Sequence, residues 1–393
     1  MTAATIGVAL DVSAVPADPA GAGRYIVELT RALGQRSDVR LTLISRREDA
    51  SRWQDLADRA RVVALVPSSR PARLAYERFI LGARVDGLRG EPIDVYHGPH
   101  YTMPAGLSVG RVVTVHDLTF LEHPEWHERS KVPFFQAAIR RAARDADVVV
   151  CVSNRTADRL NELIDVRAEV VVAEHGVDDD RFRPGEVDVQ ALPEGLAGAD
   201  LIVHLGTLEP RKGVLDLVRA FDALAVSRPA LHLVLAGHLG WGARDVTGAV
   251  RSASNSERIH VLGYVPDDAV IALMRTARVV AYPSHEEGFG LPALEAMAVG
   301  APLVTSADTV MAEFADGASW LAEAGDPTGL ERAIAEVLDA SPAEVAKRRS
   351  HGIERALAFT WERTAAVHVE AYRYAAAKAV ARNAGPEDNM TDR

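Results

Sequence analysis

The chain has 393 residues, a mass of 42.3 kDa and a formal net charge of −11, with 48% hydrophobic and 25% charged residues. This length favours two domains, because single hydrophobic cores rarely grow beyond about 250–300 residues. The negative charge argues against a nucleic-acid binder, since phosphate contacts require a positively charged surface.

The first half of the chain alternates apolar runs with helical stretches. A strand is predicted over 6–10, and the glycine-containing loop 21–25 leads into an amphipathic helix that runs through Leu33. A strand, a glycine turn and a helix start can together surround a phosphate with backbone N–H groups. Further strands are predicted at 41–44, 62–66, 95–96, 112–115, 148–152 and 170–172. This alternation predicts a parallel, doubly wound sheet.

A basic and apolar segment lies between two of these strands. Residues 70–89 contain arginines interspersed with leucine, isoleucine, valine and phenylalanine. One interpretation is a helix that packs on the sheet and exposes its arginines to solvent. The other is peripheral contact with an anionic membrane surface, where each basic residue contributes ~1 kcal/mol.

Histidines follow two of the predicted strands. His116 and Asp117 come directly after the strand 112–115, at the edge where open α/β sheets bind ligands, and His100 follows the preceding strand. A histidine at a strand end is often structural, so position alone does not assign it a function. His116, His123 and His127 form no recognised metal-ligand pattern, and we expect no metal.

The second half begins after residues 185–200, whose proline, glycine and acidic content is typical of a linker. Strands are then predicted at 201–206, 231–236, 259–262, 279–282, 302–305 and 319–322. A final helix is predicted at about 362–381, and a polar tail from Arg382. Arg211 and Lys212 lie in a strand-to-helix loop, where they could hold a diphosphate.

The most informative stretch is 282–300. Pro292 and Gly300 mark the two ends of a short helix, and the loop before it offers the N–H groups of Gly290 and Leu291 to an anion. Two carboxylates, Glu287 and Glu295, flank this site, and hydroxyl groups of a sugar or ribose would explain them.

Simpler interpretations of the same stretch remain open. Either glutamate alone could be solvated, or could stabilise the helix dipole by ~0.3–1 kcal/mol. A dinucleotide-binding fingerprint could begin at Gly288-Phe289-Gly290, but its third glycine is missing.

Nothing in the sequence predicts export or membrane insertion. No run of about 18 apolar residues is present, and no signal peptide is recognisable. The single cysteine, Cys151, rules out an internal disulfide and lies in the apolar run 148–152. We therefore expect a cytoplasmic protein in which Cys151 is a buried thiol.

The block from Glu287 to Glu295 closely resembles the E-x7-E signature of the retaining family-4 glycosyltransferases, which have the GT-B fold. The family's E-x-R-K-G element is also present, ending at Gly213. The resemblance implies two Rossmann-like, doubly wound parallel-sheet domains that face a central cleft. Residues 1–184 and the final helix would form the acceptor domain, 185–200 the hinge, 201–361 the nucleotide-sugar domain and 382–393 a tail.

The resemblance also implies roles for individual residues. His116 would contact the donor sugar near the reacting carbon, Arg211 and Lys212 would hold the departing diphosphate, and Glu287 would bind sugar hydroxyls. Glu295 would bind the ribose. The donor-binding set would comprise Gly23, Gly206, Gly237, Tyr264, Val265, Gly288, Phe289, Gly290, Leu291 and Glu295. His100 and Asp117 are weaker acceptor-side candidates.

The implied reaction transfers a hexose from a nucleotide diphosphate sugar to a hydroxyl of a glycan or glycolipid acceptor, with retention and without a metal or other cofactor. The motifs look most like the bacterial polysaccharide mannosyltransferase branch, which favours GDP-mannose over UDP- or ADP-glucose. Two alternatives remain: a UDP-N-acetylglucosamine 2-epimerase-like enzyme, which needs no acceptor, and a non-catalytic sugar-nucleotide-binding protein.

Overall fold

A computed structural model describes residues 4–384 of the chain. The chain forms two compact units. Unit 1 contains the residues up to Leu121, Ser130–Glu174 and the residues from Trp361 onward, and unit 2 contains Glu122–Arg129 and His175–Thr360.

The chain passes from unit 1 to unit 2 after Glu174, so the predicted boundary at residue 184 and the predicted hinge at 185–200 both lie inside unit 2. The guanidinium of Arg275 donates hydrogen bonds to the carbonyls of Arg183 and Glu186, which hold this stretch against unit 2. The stretch has the composition of a linker and little regular structure. Its backbone is nevertheless held in place by the hydrogen bonds from Arg275.

Unit 1 is built on seven strands in the order β3-β2-β1-β4-β5-β6-β7, and all of their pairings are parallel. Their bounds are β1 (Ile6–Asp11), β2 (Val39–Arg46), β3 (Arg61–Val66), β4 (Val95–Gly98), β5 (Gly110–Val115), β6 (Val148–Cys151) and β7 (Glu169–Val172). Central strands such as β6 are buried along their whole length, which explains why they read as uninterrupted apolar runs.

The first half of the chain contributes seven α-helices to this architecture. They are α1 (Ala22–Gln35), α2 (Ala50–Leu56), α3 (Arg70–Tyr76), α4 (Gly82–Asp86), α5 (Thr119–Glu122), α6 (Val132–Asp145) and α7 (Asn154–Leu163). A π-helical turn, Glu77–Leu81, joins α3 to α4. Leu81 and Val85 of this segment are buried in the core of unit 1, whereas Phe79 is 75% exposed.

Unit 2 repeats the plan with six parallel strands in the order β10-β9-β8-β11-β12-β13. The strands are β8 (Asp200–Leu205), β9 (Leu231–Ala236), β10 (Ile259–Gly263), β11 (Val279–Tyr282), β12 (Leu303–Ser306) and β13 (Trp320–Ala322). The helices are α8 (Val214–Ser227), α9 (Ala243–Ser252), α10 (Asp267–Thr276), α11 (Leu291–Val299), α12 (Val310–Ala315), α13 (Pro327–Asp339) and α14 (Pro342–Ala356). The predicted doubly wound parallel architecture is confirmed in both units.

Strand order reverses once in each sheet, between β1 and β4 in unit 1 and between β8 and β11 in unit 2. Open α/β sheets bind their ligands beyond the carboxyl ends of the strands at such a reversal. The loops that follow β8 and β11 are those that carry Arg211, Lys212 and Glu287. The topology therefore brings two stretches far apart in sequence to one ligand-binding edge.

The last helix, α15 (Trp361–Ala384), belongs to unit 1. It extends past the predicted end at 381, and Arg382 donates hydrogen bonds to Asp147 and to the Val109 carbonyl instead of starting a tail. The rest of the predicted tail, 385–393, lies outside the described residues. Within residues 4–384, no helix combines the length and the apolar character needed to cross a membrane.

The expectation for the single cysteine is confirmed. Cys151 lies at the end of β6 and is fully buried. Burial raises the pKa of its thiol to about 12, so the thiolate that a nucleophile would need is scarce near neutral pH.

Candidate functional site

Two loops of unit 2 are fastened together at the carboxyl edge of its sheet. Gly213 has a φ of 66°, and a Cβ atom at this position would lie 2.0 Å from the Pro283 carbonyl oxygen. The His285 N–H also donates to the Arg211 carbonyl, at 2.7 Å. Only glycine permits both this backbone conformation and this approach. The glycine at the end of the E-x-R-K-G element therefore sets the distance between the Arg211-Lys212 loop and the loop that ends at Glu287.

The side chains of these loops form a buried charge cluster. Arg211 Nη1 lies 3.0 Å from Glu287 Oε2, and Lys212 Nζ forms an ion pair with Glu287 Oε1. Ser284 Oγ donates to the same Oε1 at 2.9 Å. Glu287 and Lys212 are both buried, so each charge depends on its partner for the solvation that it loses. We call Arg211, Lys212, Glu287 and Ser284 the charge cluster.

The pKa values show which groups in the charge cluster are ionised. Burial alone would raise the pKa of Glu287, but the Lys212 and Arg211 cations lower it from 4.5 to about 2. Burial and the adjacent Arg211 lower the pKa of Lys212, while Glu287 opposes that shift. Glu209 Oε2 also lies 3.2 Å from Arg211 Nε, so two carboxylates face the two cations. An arriving anion would be a further negative partner for Lys212 and Arg211.

Tyr282, at the end of β11, holds Lys212 from a further side. Its hydroxyl accepts a hydrogen bond from Lys212 Nζ at 3.0 Å, and the ring of His204 stacks against the tyrosine ring at 5.3 Å. Burial lowers the pKa of His204 to about 4, so this neighbour adds no positive charge near neutral pH. Neither Tyr282 nor His204 was assigned a functional role from the sequence, because neither belongs to a charged motif.

The start of α11 provides a second anion-binding feature. Gly290, with a φ of 95°, caps the helix, and Gly300, with a φ of 74°, ends it, as predicted. Among the described residues, neither the Gly290 nor the Leu291 N–H has a hydrogen-bond acceptor. Such groups at a helix N-terminus attract negative charge. A diphosphate between this helix start and the charge cluster would meet donors from both.

The remaining residues of the 282–300 block are buried. Glu295 lies on the inner face of α11 and is 8% exposed. The ring of Phe289 packs against Phe314 at 5.4 Å and against His175 at 4.8 Å, so this side chain is a core anchor. Gly288 is buried as well. Any donor contact from Phe289 must therefore come from its backbone.

Other predicted donor-binding positions lie along the same edge. Gly206 and Gly237 follow β8 and β9, and a Cβ atom on Gly237 would lie 2.0 Å from the Gly206 carbonyl oxygen. Tyr264 follows β10, is 46% exposed and stacks on His238 at 5.0 Å, whereas Val265 is half-buried. An exposed aromatic ring at this edge offers a stacking surface for a nucleotide base.

Unit 1 carries its own group of predicted residues. His116 Nε2 lies 2.8 Å from the Pro99 carbonyl, which can only accept, so this nitrogen carries the proton and Nδ1 has the lone pair. Burial lowers the pKa of His116, and the ring is neutral near pH 7. A neutral imidazole of this tautomer can accept a hydrogen bond from a sugar hydroxyl.

The weaker acceptor-side candidates flank His116. The His100 ring lies 5.8 Å from the His116 ring, and burial, with a smaller contribution from His116, lowers the pKa of His100 to about 3. Asp117 Oδ1 accepts hydrogen bonds from the Thr119 N–H and hydroxyl, at 3.2 and 2.7 Å, at the start of α5. These bonds give Asp117 a structural role.

Gly23 differs from its predicted environment. It lies within the first turn of α1 instead of in a loop, and its N–H donates to the Ala20 carbonyl at 3.0 Å. A Cβ atom here would lie 3.2 Å from Pro19 Cβ. The glycine therefore allows close packing of the preceding loop, and its amide is already bonded.

Metal binding has no visible basis in the described part of the chain. Between residues 4 and 384, no group of three or more histidine, cysteine, aspartate or glutamate side chains is arranged to hold an ion. Positive charge at this edge of unit 2 comes from Arg211 and Lys212.

Comparison with known proteins identifies the family. The model for glycosyl transferases group 1 matches residues 194–356, and the model for Glycosyltransferase Family 4 matches residues 19–181. The O-antigen chain mannosyltransferase B of Escherichia coli is 30% identical over 285 residues, covering 71% of this chain and 74% of that protein. The chain belongs to the group 1, family-4 glycosyltransferases. This glycosyltransferase lies in their mannosyltransferase-like branch.

A further sequence relative agrees with this assignment, and solved structures agree with the fold. The serotype-specific mannosyltransferase WbdA of Escherichia coli is 28% identical over 57% of this chain, but the match covers only 29% of WbdA. Among solved structures, sucrose-phosphate synthase from Thermosynechococcus elongatus has a TM-score of 0.72 at 20% identity, covering 95% of this chain and 100% of that one. HepE from Anabaena, solved with UDP and glucose, has a TM-score of 0.73 at 18% identity. The match covers 94% of this chain and 99% of HepE.

The predicted family, the GT-B fold class and the enzyme class are therefore confirmed. The structure brings Arg211, Lys212 and Glu287 together at one edge of unit 2, with Glu295 in the adjacent helix. His116 lies in unit 1. The roles of individual residues stay predictions.

Proposed function

We propose that this glycosyltransferase moves a hexose, with mannose favoured, from a nucleotide diphosphate sugar to a hydroxyl of a glycan or lipid-linked glycan, in polysaccharide or cell-envelope synthesis. The anomeric configuration would be retained, and no metal would be required. The observation that supports this most strongly is the charge cluster beside the start of α11, where two cations and two backbone N–H groups can receive a diphosphate.

Departure of the diphosphate is the step that the charge cluster would assist. Negative charge accumulates on the phosphate oxygen as the bond to the anomeric carbon breaks, and Arg211 and Lys212 would stabilise that charge. A donor placed in this way typically lowers the barrier by ~3–4 kcal/mol. The cations would take over work that a divalent metal performs in other transferases, which is the basis for proposing metal independence.

Glu287 and His116 would act on the sugar. With its pKa lowered to about 2, Glu287 stays ionised and can accept hydrogen bonds from sugar hydroxyls. Its negative charge would also favour the oxocarbenium-like character that glycosyl transfer develops. The neutral His116 would accept a hydroxyl hydrogen bond near the reacting carbon, and Glu295 would bind the ribose hydroxyls.

Mannose is favoured because the mannosyltransferases of Escherichia coli are among the chain's relatives. The test is a panel of GDP-mannose, UDP-glucose and ADP-glucose, scored by protection against thermal unfolding. A ligand at ~100 times its dissociation constant adds ~2.7 kcal/mol to the free energy of unfolding. We expect GDP-mannose to protect most. Equal protection by all three, or by none, would contradict the assignment.

Transfer itself needs separate measurements. We expect hexose transfer to a glycan acceptor to persist in EDTA, with the donor's anomeric configuration kept in the product, as read by NMR coupling constants. Conversion of UDP-N-acetylglucosamine without an acceptor would instead support the epimerase alternative. Binding without any turnover would support the non-catalytic alternative.

We also propose that the segment 70–89 contacts an anionic membrane when the acceptor is lipid-linked. Arg70, Arg78 and Arg84 are exposed on this segment, and so are the apolar side chains of Phe79 and Ile80. Apolar insertion next to basic side chains is the usual chemistry of interfacial helices. Co-sedimentation with anionic vesicles, but not with neutral ones, should depend on Phe79. Equal sedimentation of Phe79→Ser would contradict this.

A further inference from the structure

A continuous chain of hydrogen bonds runs through the interior of unit 1. Its members are fully buried side chains from two strands and two helices: Tyr25 on α1, His97 on β4, Thr114 on β5, and His368 and Tyr372 on α15. The successive distances are 2.8 Å for Tyr372–His97, 2.8 Å for His97–Thr114, 2.9 Å for Thr114–Tyr25 and 2.7 Å for Tyr25–His368. We call these five residues the buried chain.

The buried chain has only one possible direction. His368 Nδ1 lies 2.7 Å from the Thr364 carbonyl, which can only accept, so Nδ1 donates and Nε2 accepts from the Tyr25 hydroxyl. The Tyr25 oxygen then accepts from Thr114, whose oxygen accepts from His97 Nε2. His97 Nδ1 finally accepts from Tyr372. One backbone carbonyl thus fixes the orientation of every proton in the buried chain.

Both histidines of the buried chain must be neutral for this arrangement to hold. Burial lowers the pKa of His368 to about 4, and burial followed by the His368 charge holds the pKa of His97 well below 6.5. Burial also raises the pKa of the Tyr25 phenol well above its usual value. Near neutral pH every donor in the buried chain therefore meets an acceptor, and no member carries a charge.

Tyr25 connects the buried chain to His116. The edge of one ring meets the face of the other, with centroids 5.0 Å apart and an interplanar angle of 82°. The Tyr25 hydroxyl is held on both sides, by Thr114 and by His368, so the ring cannot move away from His116 without breaking a buried hydrogen bond. His116 Nε2 donates to the Pro99 carbonyl.

The anchor of this arrangement is the first part of α15. Thr364 Oγ1 donates to the Glu174 carbonyl at 2.6 Å, where the chain leaves unit 1, and the Thr364 carbonyl terminates the buried chain. The helix that re-enters unit 1 at Trp361 therefore fixes the position of Tyr25.

We propose that Tyr25 is a positioning residue for His116, and that α15 sets its position through His368. This inference rests on the role of His116 in the proposed function. Tyr25 would not touch the substrate. Its ring would fix the plane of the imidazole, so that Nδ1 keeps a constant direction towards the sugar hydroxyl.

The test compares two identical substitutions in the same buried chain. Tyr25→Phe keeps the ring against His116 but removes both of its hydrogen bonds, whereas Tyr372→Phe removes the hydrogen bond to His97 and leaves both bonds of Tyr25 in place. Tyr25→Phe should lower kcat for transfer about tenfold while changing KM for the donor less, a loss of ~1.4 kcal/mol of transition-state stabilisation. Tyr372→Phe should keep kcat within about twofold of the parent. Thermal unfolding of both variants shows whether they remain folded.

A double-mutant cycle then asks whether Tyr25 acts through His116. His116→Ala should cost less in the Tyr25→Phe background than in the parent, because the position of the imidazole is already lost. Additive losses, or equal loss of kcat in Tyr25→Phe and Tyr372→Phe, would overturn the proposal.

A readout without turnover keeps this test independent of the proposed function. The ¹⁵N signals of the His116 ring should shift in Tyr25→Phe and stay in place in Tyr372→Phe. Unchanged His116 signals in Tyr25→Phe would refute the positioning role whatever the activity. If the signals shift but His116→Ala transfers hexose normally, the positioning stands and the proposed catalytic role of His116 fails.

Discussion

The two units solve the same problem, burial of polar side chains at a ligand-binding edge, in opposite ways. Unit 2 buries full charges in the charge cluster, where Glu287 faces Lys212 and Arg211. Unit 1 buries neutral groups around His116 and orders them by the direction of their hydrogen bonds. Buried charges increase the affinity of a site for an anion, whereas oriented hydrogen bonds between neutral groups fix the geometry of a site. The two units should therefore fail under different perturbations.

The largest effect is expected from removing a charge in unit 2. Lys212→Ala should lower kcat for transfer by ~10²–10³, because one of the groups that stabilise the departing diphosphate is lost. Lys347→Ala, at an exposed position on α14, is the matched control and should retain the parental rate. Steady-state kinetics with a saturating acceptor measures both. A Lys212→Ala enzyme with full activity would remove the charge cluster from the mechanism.

The second-largest effect is expected from changing the spacing between the two backbone loops of unit 2. Gly213→Ala would place a Cβ atom 2.0 Å from the Pro283 carbonyl oxygen at a φ of 66°. We expect a loss of about 2–3 kcal/mol in the free energy of unfolding, since the two loops must separate. The separation should also weaken binding of a nucleoside diphosphate. Chemical denaturation and calorimetric titration test this, and an unaltered affinity would show that the loop spacing does not matter.

Acid should distinguish the buried histidines from the charge cluster by the pH at which each loses its contribution to stability. His368 has a pKa of about 4 in the folded protein and 6.5 when exposed, so its contribution is complete above 6.5 and declines as the pH falls towards 4. At pH 5 the loss is on the order of 2 kcal/mol. Glu287, lowered from 4.5 to about 2, contributes fully above 4.5 and loses its contribution only below that.

Unfolding free energies measured between pH 7 and pH 4.5 should therefore report the buried histidines, among them His368 in unit 1 and His204 in unit 2, whose pKa values are both about 4. Replacing the titrating group by His368→Gln should flatten the decline in this range relative to the parent chain. A decline of the same slope in both proteins would mean that other groups control acid stability.

The smallest effect is expected at a glycine away from both sites. Gly248 lies within α9, and a Cβ atom there has no neighbour within 4 Å. Gly248→Ala should stabilise the chain by ~0.5–1 kcal/mol, because alanine loses less conformational freedom in a helix. Transfer activity should not change. Stabilisation by Gly248→Ala and destabilisation by Gly213→Ala would show that the effect on stability depends on what the new Cβ atom contacts, and not on replacing glycine as such.

Local pattern was enough to predict much of unit 2. Pro292 lies in the first turn of α11 and Gly300 directly after its last residue, and the spacing of Glu287 and Glu295 identified the family. These features are readable because each depends on neighbours within a few residues. The stretch 185–200 has the composition of a linker, but the sequence gives no sign that Arg275, about ninety positions away in the chain, bonds the carbonyls of Arg183 and Glu186.

The buried hydrogen bonds of unit 1 could not be predicted from local sequence patterns for the same reason. Tyr25 and His368 form a hydrogen bond although they are 343 positions apart. A tyrosine in an amphipathic helix and a histidine near the end of the chain give no sign of each other in one sequence. The glycine loop around Gly23 was recognised from the sequence. That the Gly23 N–H donates to the Ala20 carbonyl depends on the exact start of α1 and could not be predicted.

The position of α15 has a consequence for biosynthesis. The ribosome makes this helix after all of unit 2, yet it supplies His368 and Tyr372 to the interior of unit 1. Until it emerges, His97 lacks Tyr372 and Tyr25 lacks His368, and the surface of unit 1 that α15 covers stays exposed. Unit 1 is thus the first unit to be synthesised and the last to be completed. A chaperone that covers the exposed α15-binding surface during translation would act on unit 1.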